Sequence, residues 1–107
     1  MTDLAELAEE LPVLEQVLRM SADSAQRSSL DAKAFFMVRI AALAATGATP
    51  ATWMANLEAA SQSGLTKEDV QGVLVAVSPV IGTARTMSAV GNAMRAIGLE
   101  TALIYGD

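Results

Sequence analysis

The apolar residues of this chain recur at intervals of three and four positions, and no segment shows the alternation expected of a β-strand. The spacing is clearest in one N-terminal set: Leu4, Leu7, Leu11, Leu14, Val17 and Leu18. Glutamates occupy much of the remainder of that segment. The pattern predicts an all-α fold of five to six antiparallel helices. Pro12 lies inside the first helix and predicts a kink or a break there.

Glycine, threonine and proline mark where the later helices begin and end. Gly47 is expected at the C′ position of a second helix, and Thr49-Pro50 are expected at the N-cap and first position of a third. Gly64 is expected to end that helix, and Thr66 to cap a fourth. These residue types favour such positions because glycine tolerates a left-handed backbone and threonine accepts a bond from a free backbone N–H.

Four further signals complete the predicted organisation. Asp31 is a plausible N-cap or first-turn acid for the second helix, and residues 21–29, SADSAQRSS, are predicted to form a linker. Ser78-Pro79 is expected to interrupt the fourth helix, and Gly98 to end the last one. We therefore divide one domain into an N-terminal helix and linker (residues 1–29), a helical core (30–98) and a C-terminal tail (99–107).

The apolar content is high for so short a chain. Hydrophobic residues make up 52% of the 107 residues and charged residues only 18%, against a typical charged share of about 25%. A small monomer exposes much of its surface, so the excess apolar area predicts burial against further copies of the same chain. We expect a homo-oligomer, a trimer or a hexamer.

Neither a membrane nor a secretory route is expected. Residues 40–57 carry no charge, but Thr46-Gly47-Ala48-Thr49-Pro50 places a helix stop and a helix start in their middle. The first residues lack the basic and apolar regions of a secretory signal, so we expect a cytoplasmic protein. The net charge is −5 and the seven basic residues are scattered, which argues against nucleic acid as a partner.

The chain contains no cysteine and no histidine. This absence excludes a thiol nucleophile, a disulfide, a zinc finger and a Ser-His-Asp triad. It also removes the side chain that most readily transfers protons at neutral pH. No phosphate-binding glycine loop is present either. We therefore expect no metal and no cofactor.

Residues 30–98 resemble the carboxymuconolactone decarboxylase and alkylhydroperoxidase D-like family. The resemblance rests on the order and spacing of several short stretches: Leu30-Asp31-x-Lys33, residues 38–43 (VRIAAL), residues 63–70 (SGLTKEDV), Val73-Leu74 and Pro79-x-x-Gly82. It implies an all-helical fold that assembles as trimers or hexamers.

The family's catalytic residues are missing from the matching positions. In the peroxidase branch a helix begins C-x-x-C-x-x-x-H, and alignment on residues 63–66 places these residues at Thr49, Thr52 and Asn56. The upstream glutamate of that branch falls on Phe36 or Met37. A threonine hydroxyl is neither ionised nor strongly nucleophilic, so the resemblance implies that the thiol peroxidase mechanism is excluded here. The decarboxylase branch keeps the histidine, for which asparagine is a poor proton carrier.

Six residues are candidates for a ligand site: Asn56, Trp53, Thr52, Thr49, Arg39 and Arg85. Asn56 is either a polar anchor for a ligand or an amide bonded within the protein, and Trp53 is either a stacking wall or a core residue. Thr49 is better explained as an N-cap. Arg39 requires a partner, and it is either in an ion pair, for which Glu58 and Asp69 are the candidates, or the ligand of an anion. Arg85 either binds a carboxylate beside a helix N-terminus or is solvated.

Three functions are compatible with these features. The first is a non-redox homo-oligomer that binds a small, partly apolar organic acid or lactone, or that is purely structural. The second is an enzyme of altered family chemistry, acting as a decarboxylase or hydrolase on a lactone or an acid. The third is a non-catalytic subunit paired with an active paralogue. Whether the chain is an enzyme stays open on the sequence alone.

Overall fold

The chain folds into helices alone throughout the part that the structure describes. A computed structural model describes the backbone of residues 4–105 and the side-chain environments of residues 12–98. Five helices follow one another: α1 Leu4–Arg27, α2 Ala32–Thr46, α3 Pro50–Gln62, α4 Lys67–Ile81 and α5 Thr83–Tyr105. No strand occurs among residues 4–105. The predicted all-α fold is confirmed, with five helices.

The chain forms two compact units. The first, Met1–Leu30, contains α1, and the second, Asp31–Asp107, contains α2 to α5. Among the described residues, no helix combines the length and apolar character that a membrane span requires.

Both ends of α2 and the starts of α3 and α4 lie where the capping residues predict. Asp31 has an extended backbone, and its carboxylate accepts a hydrogen bond from the Ala34 backbone N–H at 2.8 Å. Gly47 ends α2 with φ +71°, a left-handed conformation that favours glycine. Thr66 and Asp69 form a complete capping box at the start of α4. Thr49 occupies the N-cap of α3, but its side chain makes no capping bond.

Two of the predicted breaks in α1 do not occur. The helix runs through Pro12 without interruption, and residues 21–27, expected in a linker, form its last two turns. The linker prediction rested on small polar residues, which lower helix propensity by only a few tenths of a kcal/mol each. An ion pair one turn apart, from Arg27 Nε to Asp23 Oδ1 at 2.9 Å, joins side chains of this last segment.

Ser78-Pro79 does not interrupt α4, which continues to Ile81. Proline lacks the N–H that would bond the carbonyl of the residue four positions earlier, here Val75. The Ser78 hydroxyl donates to that same Val75 carbonyl at 3.0 Å. The carbonyl therefore keeps a hydrogen-bond donor, and the helix extends for a further half turn.

Gly98 does not end the last helix, since α5 extends to Tyr105. A glycine inside a helix costs about 1 kcal/mol relative to alanine, which is too little to stop a long helix. The segment that was expected to be a tail is therefore helical as far as Tyr105. The side chains of residues 99–107 lie outside the described part of the chain.

The core of the second unit is built around two large side chains and several small ones. Trp53 on α3 and Ile40 on α2 are both 0% exposed. Five alanines complete the buried surface beside them: Ala44, Ala60, Ala89, Ala93 and Ala96. Helix α2 contacts α3, α4 and α5, and α5 contacts α3 and α4. Because alanine has only a methyl group, the helices can approach closely around the indole of Trp53.

A capping box and an ion pair meet at Asp69. The backbone N–H of Thr66 donates to Asp69 Oδ2 at 2.9 Å, and Lys33 Nζ on α2 lies 3.2 Å from the same oxygen. The bond from the Thr66 backbone lowers the pKa of Asp69 below its ordinary value, and the Thr66 hydroxyl and Lys33 lower it further. This carboxylate therefore links the start of α4 to the start of α2.

Replacement of Trp53 by alanine should destabilise the protein by about 3–5 kcal/mol, since it leaves a cavity among small side chains. The indole Nε1–H of Trp53 is buried without a hydrogen-bond partner among the described residues. Trp53→Phe keeps an aromatic ring in the core and removes the unpaired N–H. It should therefore lower the free energy of unfolding clearly less than Trp53→Ala does. Chemical denaturation followed by circular dichroism measures both. Equal losses for the two variants would contradict this account of the core.

Low pH should destabilise the folded protein because Asp69 becomes protonated. Its folded pKa is lowered, so its stabilising effect is complete above the ordinary aspartate pKa and is lost as the pH falls through the folded value. We expect Asp69→Asn to lower the melting temperature at pH 7 and to reduce the further loss between pH 4 and pH 2. Glu68→Gln changes the exposed acid beside it and serves as the control. An equally steep acid dependence in Asp69→Asn and the wild type would exclude this role.

Candidate functional site

The three residues at the family's catalytic positions bond to one another and to their own helix. Thr49 and Thr52 lie one turn apart at the start of α3, with their hydroxyl oxygens 3.3 Å from each other. Asn56, one turn further on, donates from Nδ2 to the backbone carbonyl of Thr52 at 2.9 Å. The two hydroxyls thus bond to each other and the amide bonds to the backbone of its own helix, and none of these bonds supplies a general base to a hydroxyl.

Trp53 lies between these residues in sequence but faces the core. Its side chain is fully buried and packs with Ile40, Ala44 and the alanines of α5. Phe36 and Met37, which occupy the place of the family's upstream glutamate, are partly buried and pack against the same core. An apolar core therefore fills the region that the resemblance assigns to an acid.

Arg39 is half-buried on α2. Its guanidinium carbon lies 5.1 Å from the centre of the Phe35 ring, within the range of a cation–π contact. Asp69, one of the two predicted partners of Arg39, has Lys33 Nζ 3.2 Å from its Oδ2. The Arg39 guanidinium therefore lies over an aromatic face one turn earlier in its own helix.

Arg85 is the predicted site residue that lines an open cleft. The cleft has a volume of about 310 Å³ and is bordered by Thr46 and Gly47 at the end of α2 and by Ala84, Arg85 and Ser88 in the first turns of α5. Arg85 Nη1 donates to the backbone carbonyl of Ala45 at 2.6 Å. A cation at the carbonyl end of a helix is favourable, so this bond fixes the guanidinium at the cleft wall.

The cleft is suited to hold an anion. A guanidinium carries five N–H donors, and one of them is directed to Ala45. The cleft also lies at the N-terminus of α5, where backbone N–H groups of the first turn have no partner within the helix. Arg85 and this helix end favour negative charge, the carbonyl end of α2 at Thr46 and Gly47 opposes it, and a carboxylate matches the planar geometry of the guanidinium.

The same cleft offers little for catalysis. Arg85 is the one charged residue in its lining, and a guanidinium donates hydrogen bonds but accepts none, so it cannot act as a general base. The Thr46 hydroxyl donates to the Ala42 carbonyl at 2.9 Å. Ser88, the remaining hydroxyl, has no carboxylate or amine beside it in the lining to act as a base. The arrangement can bind and orient an acid but holds no group to move its protons.

Two other surface depressions lie on α4 and α5. One of about 410 Å³ is mostly apolar, with Val70 and Leu74 on α4 facing Met94 and Ile97 on α5 and with Lys67 at its edge. The other, of about 360 Å³, lies along α5 beside Arg95. Val70 and Leu74 recur at helical spacing in the sequence, as do Met94 and Ile97, but the spacing alone could not show that these two faces meet in a groove. Thr49, Thr52, Trp53, Asn56 and Arg39 line none of these three depressions.

Among the described residues, no three acidic side chains lie close enough together to hold a metal ion. A hydroxyl, an amide and an arginine are likewise weak ligands for a transition metal. The candidate site is therefore one of hydrogen bonding and charge.

The comparisons with known proteins agree with this architecture. The model of the carboxymuconolactone decarboxylase family matches residues 12–94, which is most of the chain. No curated protein and no solved structure matches it. The all-helical fold and the match over residues 12–94 agree with each other. The chain belongs to the carboxymuconolactone decarboxylase family as a member without cysteine.

Proposed function

We propose that this protein is a non-redox, non-catalytic homo-oligomer that binds a small organic acid in the Arg85 cleft. The observation that carries the proposal is the anchored guanidinium: Arg85 is held to the Ala45 carbonyl at 2.6 Å at the mouth of a cleft of about 310 Å³. Thr49, Thr52 and Asn56 support the non-catalytic part, since their polar groups are engaged locally and no thiol is present.

The size and polarity of the cleft define the class of ligand. A volume of about 310 Å³ is at the lower end of the range of ~300–1,000 Å³ typical of small-molecule pockets. Ala84, Gly47 and the aliphatic parts of the threonine leave room for a short apolar body. A hydrogen bond to a charged group contributes roughly 1.5–3 kcal/mol, and less here because Arg85 is exposed. We therefore expect weak binding of a small monocarboxylate or lactone acid.

Exposed apolar side chains support the homo-oligomer. In the second unit several large ones are more than half exposed: Val38 (59%), Val75 (72%), Val80 (84%), Met87 (64%) and Met94 (66%). They lie on α2, α4 and α5, so each of these helices carries an apolar surface that water covers in the isolated chain. Contact with further copies would remove that surface from water at about 25 cal/mol per Å².

Binding of small acids should depend on Arg85. Isothermal calorimetry with aromatic monocarboxylates and lactone acids should detect binding to the wild type and an at least tenfold weaker affinity for Arg85→Ala. Arg85→Lys should be intermediate, because one ammonium cannot hold the Ala45 carbonyl and a carboxylate with the geometry of a guanidinium. Addition of salt should weaken the wild-type binding.

Arg95→Ala is the matched control, since it removes an exposed arginine from the same helix. It should bind as the wild type does. Asn56→Ala tests the position of the family's histidine and should also leave the affinity unchanged. Binding that Arg85→Ala does not weaken would place the site elsewhere, and loss of binding in Asn56→Ala would restore the family's own site as the candidate.

The protein should have no thiol-type peroxidase activity. Thr49, Thr52 and Asn56 stand at the positions of the two cysteines and the histidine, and neither hydroxyl can be oxidised in a thiol cycle. An organic hydroperoxide offered with a dithiol donor should be reduced no faster than in a control without protein. Turnover above that control that is lost in Thr49→Ala would refute the proposal of a non-redox protein.

A further inference from the structure

The leucine positions of α1 follow a regular spacing along one stripe of the helix, the leucine seam. Leu4, Leu7, Leu11, Leu14 and Leu18 follow one another at spacings of three, four, three and four residues, the heptad pattern of positions a and d in a coiled coil. Since α1 is helical without interruption from Leu4 to Arg27, these positions share one face. The side chains described on this face are open to solvent, Leu14 at 53% and Leu18 at 69%.

Pro12 does not obstruct this seam. In the heptad that places Leu4, Leu11 and Leu18 at position a, Pro12 falls at position b, on the outer side of the helix. The proline therefore affects the side of α1 that faces away from the leucines. Val17, which is 52% exposed, lies at position g and widens the apolar face.

We propose that α1 pairs with α1 of a second copy in the antiparallel direction, with Leu7 level with Leu18 and Leu11 level with Leu14. This register gives four layers in which leucine faces leucine. A shift of one heptad toward the C-terminus leaves two such layers, and a shift of one heptad toward the N-terminus keeps four but places Glu10 beside Glu10 of the second copy. The proposal rests on the homo-oligomer proposed above and names one of the surfaces that would form it.

The charges of α1 decide the direction of the pair. Glu10 lies at position g and Glu15 at position e, beside the seam. In a parallel pair, position g lies next to position e of the following heptad in the partner, so Glu10 and Glu15 would meet twice. In the antiparallel register Glu10 lies next to Val17 of the second copy, and Glu15 next to Ala8. No acid then faces an acid across the seam.

The distribution of charge along the helix favours the same direction. Residues 4–15 contain four glutamates and no basic residue, whereas both arginines of α1, Arg19 and Arg27, lie in the second half. The antiparallel register places Arg19 level with Glu6 of the second copy, whereas Arg27 is level with no residue of α1 there and is paired with Asp23 of its own helix. A parallel pair places the two acidic halves side by side, which is unfavourable at low ionic strength.

Cysteine cross-linking tests this pairing on a background free of native thiols. We expect the double variant Leu7→Cys/Leu18→Cys to form a covalent dimer under mild oxidation, because each cysteine is level with the other type in the partner. Within one helix the two positions are about 16 Å apart, and a disulfide requires Cα atoms within about 7 Å. Either single variant should therefore give little covalent dimer.

The matched control is Glu9→Cys/Gln16→Cys. These two positions are also level with each other in the antiparallel register, but both lie at position f on the outer side, so no covalent dimer should form. Cross-linking of this control to the same extent would show random collision and overturn the proposal. Strong cross-linking of the single Leu18→Cys variant would show a parallel pair, which overturns it too.

Light scattering on the unoxidised protein distinguishes a failure of the α1 pair from a failure of the homo-oligomer proposed above. A mass above that of the monomer without a covalent dimer of the double variant would leave the oligomer standing and refute the α1 pair. A monomeric mass at micromolar concentration would refute both.

A second variant keeps the test independent of cysteines. Val17→Glu places an acid beside Glu10 of the second copy at two sites, so dissociation of the pair should occur at an about fivefold higher protein concentration. Gln16→Glu adds the same charge on the outer side and should have no such effect. Equal behaviour of the two variants would contradict the antiparallel register.

Discussion

The burial of Trp53 is the constraint on which the second unit depends. An indole is the largest side chain, and here it is completely enclosed on a short helix of thirteen residues. The enclosure requires neighbouring helices that come close, and the chain supplies alanines at Ala44 on α2 and at Ala89 and Ala93 on α5. The arrangement of α2 and α5 around α3 follows from packing one large ring into surfaces made of methyl groups.

That packing has a consequence for the chemistry of α3. Trp53 lies one residue after Thr52 and three before Asn56, so the turn that carries the family's catalytic positions also carries the centre of the core. The polar side chains of this turn bond to each other and to the helix backbone. The polar group that can meet a ligand lies instead on α5, where Arg85 borders a cleft at the end of α2.

Much of the fold was predictable because its signals are local. Asp31, Gly47 and Thr66 act through backbone bonds to residues within five positions, so the sequence alone locates these helix ends. The expected interruption of α4 at Pro79 does not occur because the Ser78 hydroxyl donates to the carbonyl that loses its backbone bond. This compensation is visible only in the geometry. Gly98 and residues 21–27 were misjudged because weak local preferences do not decide long helices.

The candidate site was predictable only in its parts. The sequence left two interpretations of Arg85 open, an anion ligand beside a helix N-terminus or a solvated arginine. Its bond to Ala45 joins residues forty positions apart, and no local pattern encodes it. Arg85, Trp53 and Asn56 were all candidates for one ligand site. Trp53 faces the core, Asn56 bonds to its own helix, and neither lines the cleft beside Arg85.

The bond between Arg85 and Ala45 also shows why a ligand in this cleft would affect the fold. The guanidinium links the carbonyl end of α2 to the first turn of α5, and Gly47 follows directly in the chain. A carboxylate bound to the remaining N–H donors of Arg85 would lie against the end of α2 and the start of α5 and would link these two helix ends a second time. Binding would then stabilise the folded protein by mass action without any change in the core, because a ligand of the folded state alone always raises its stability.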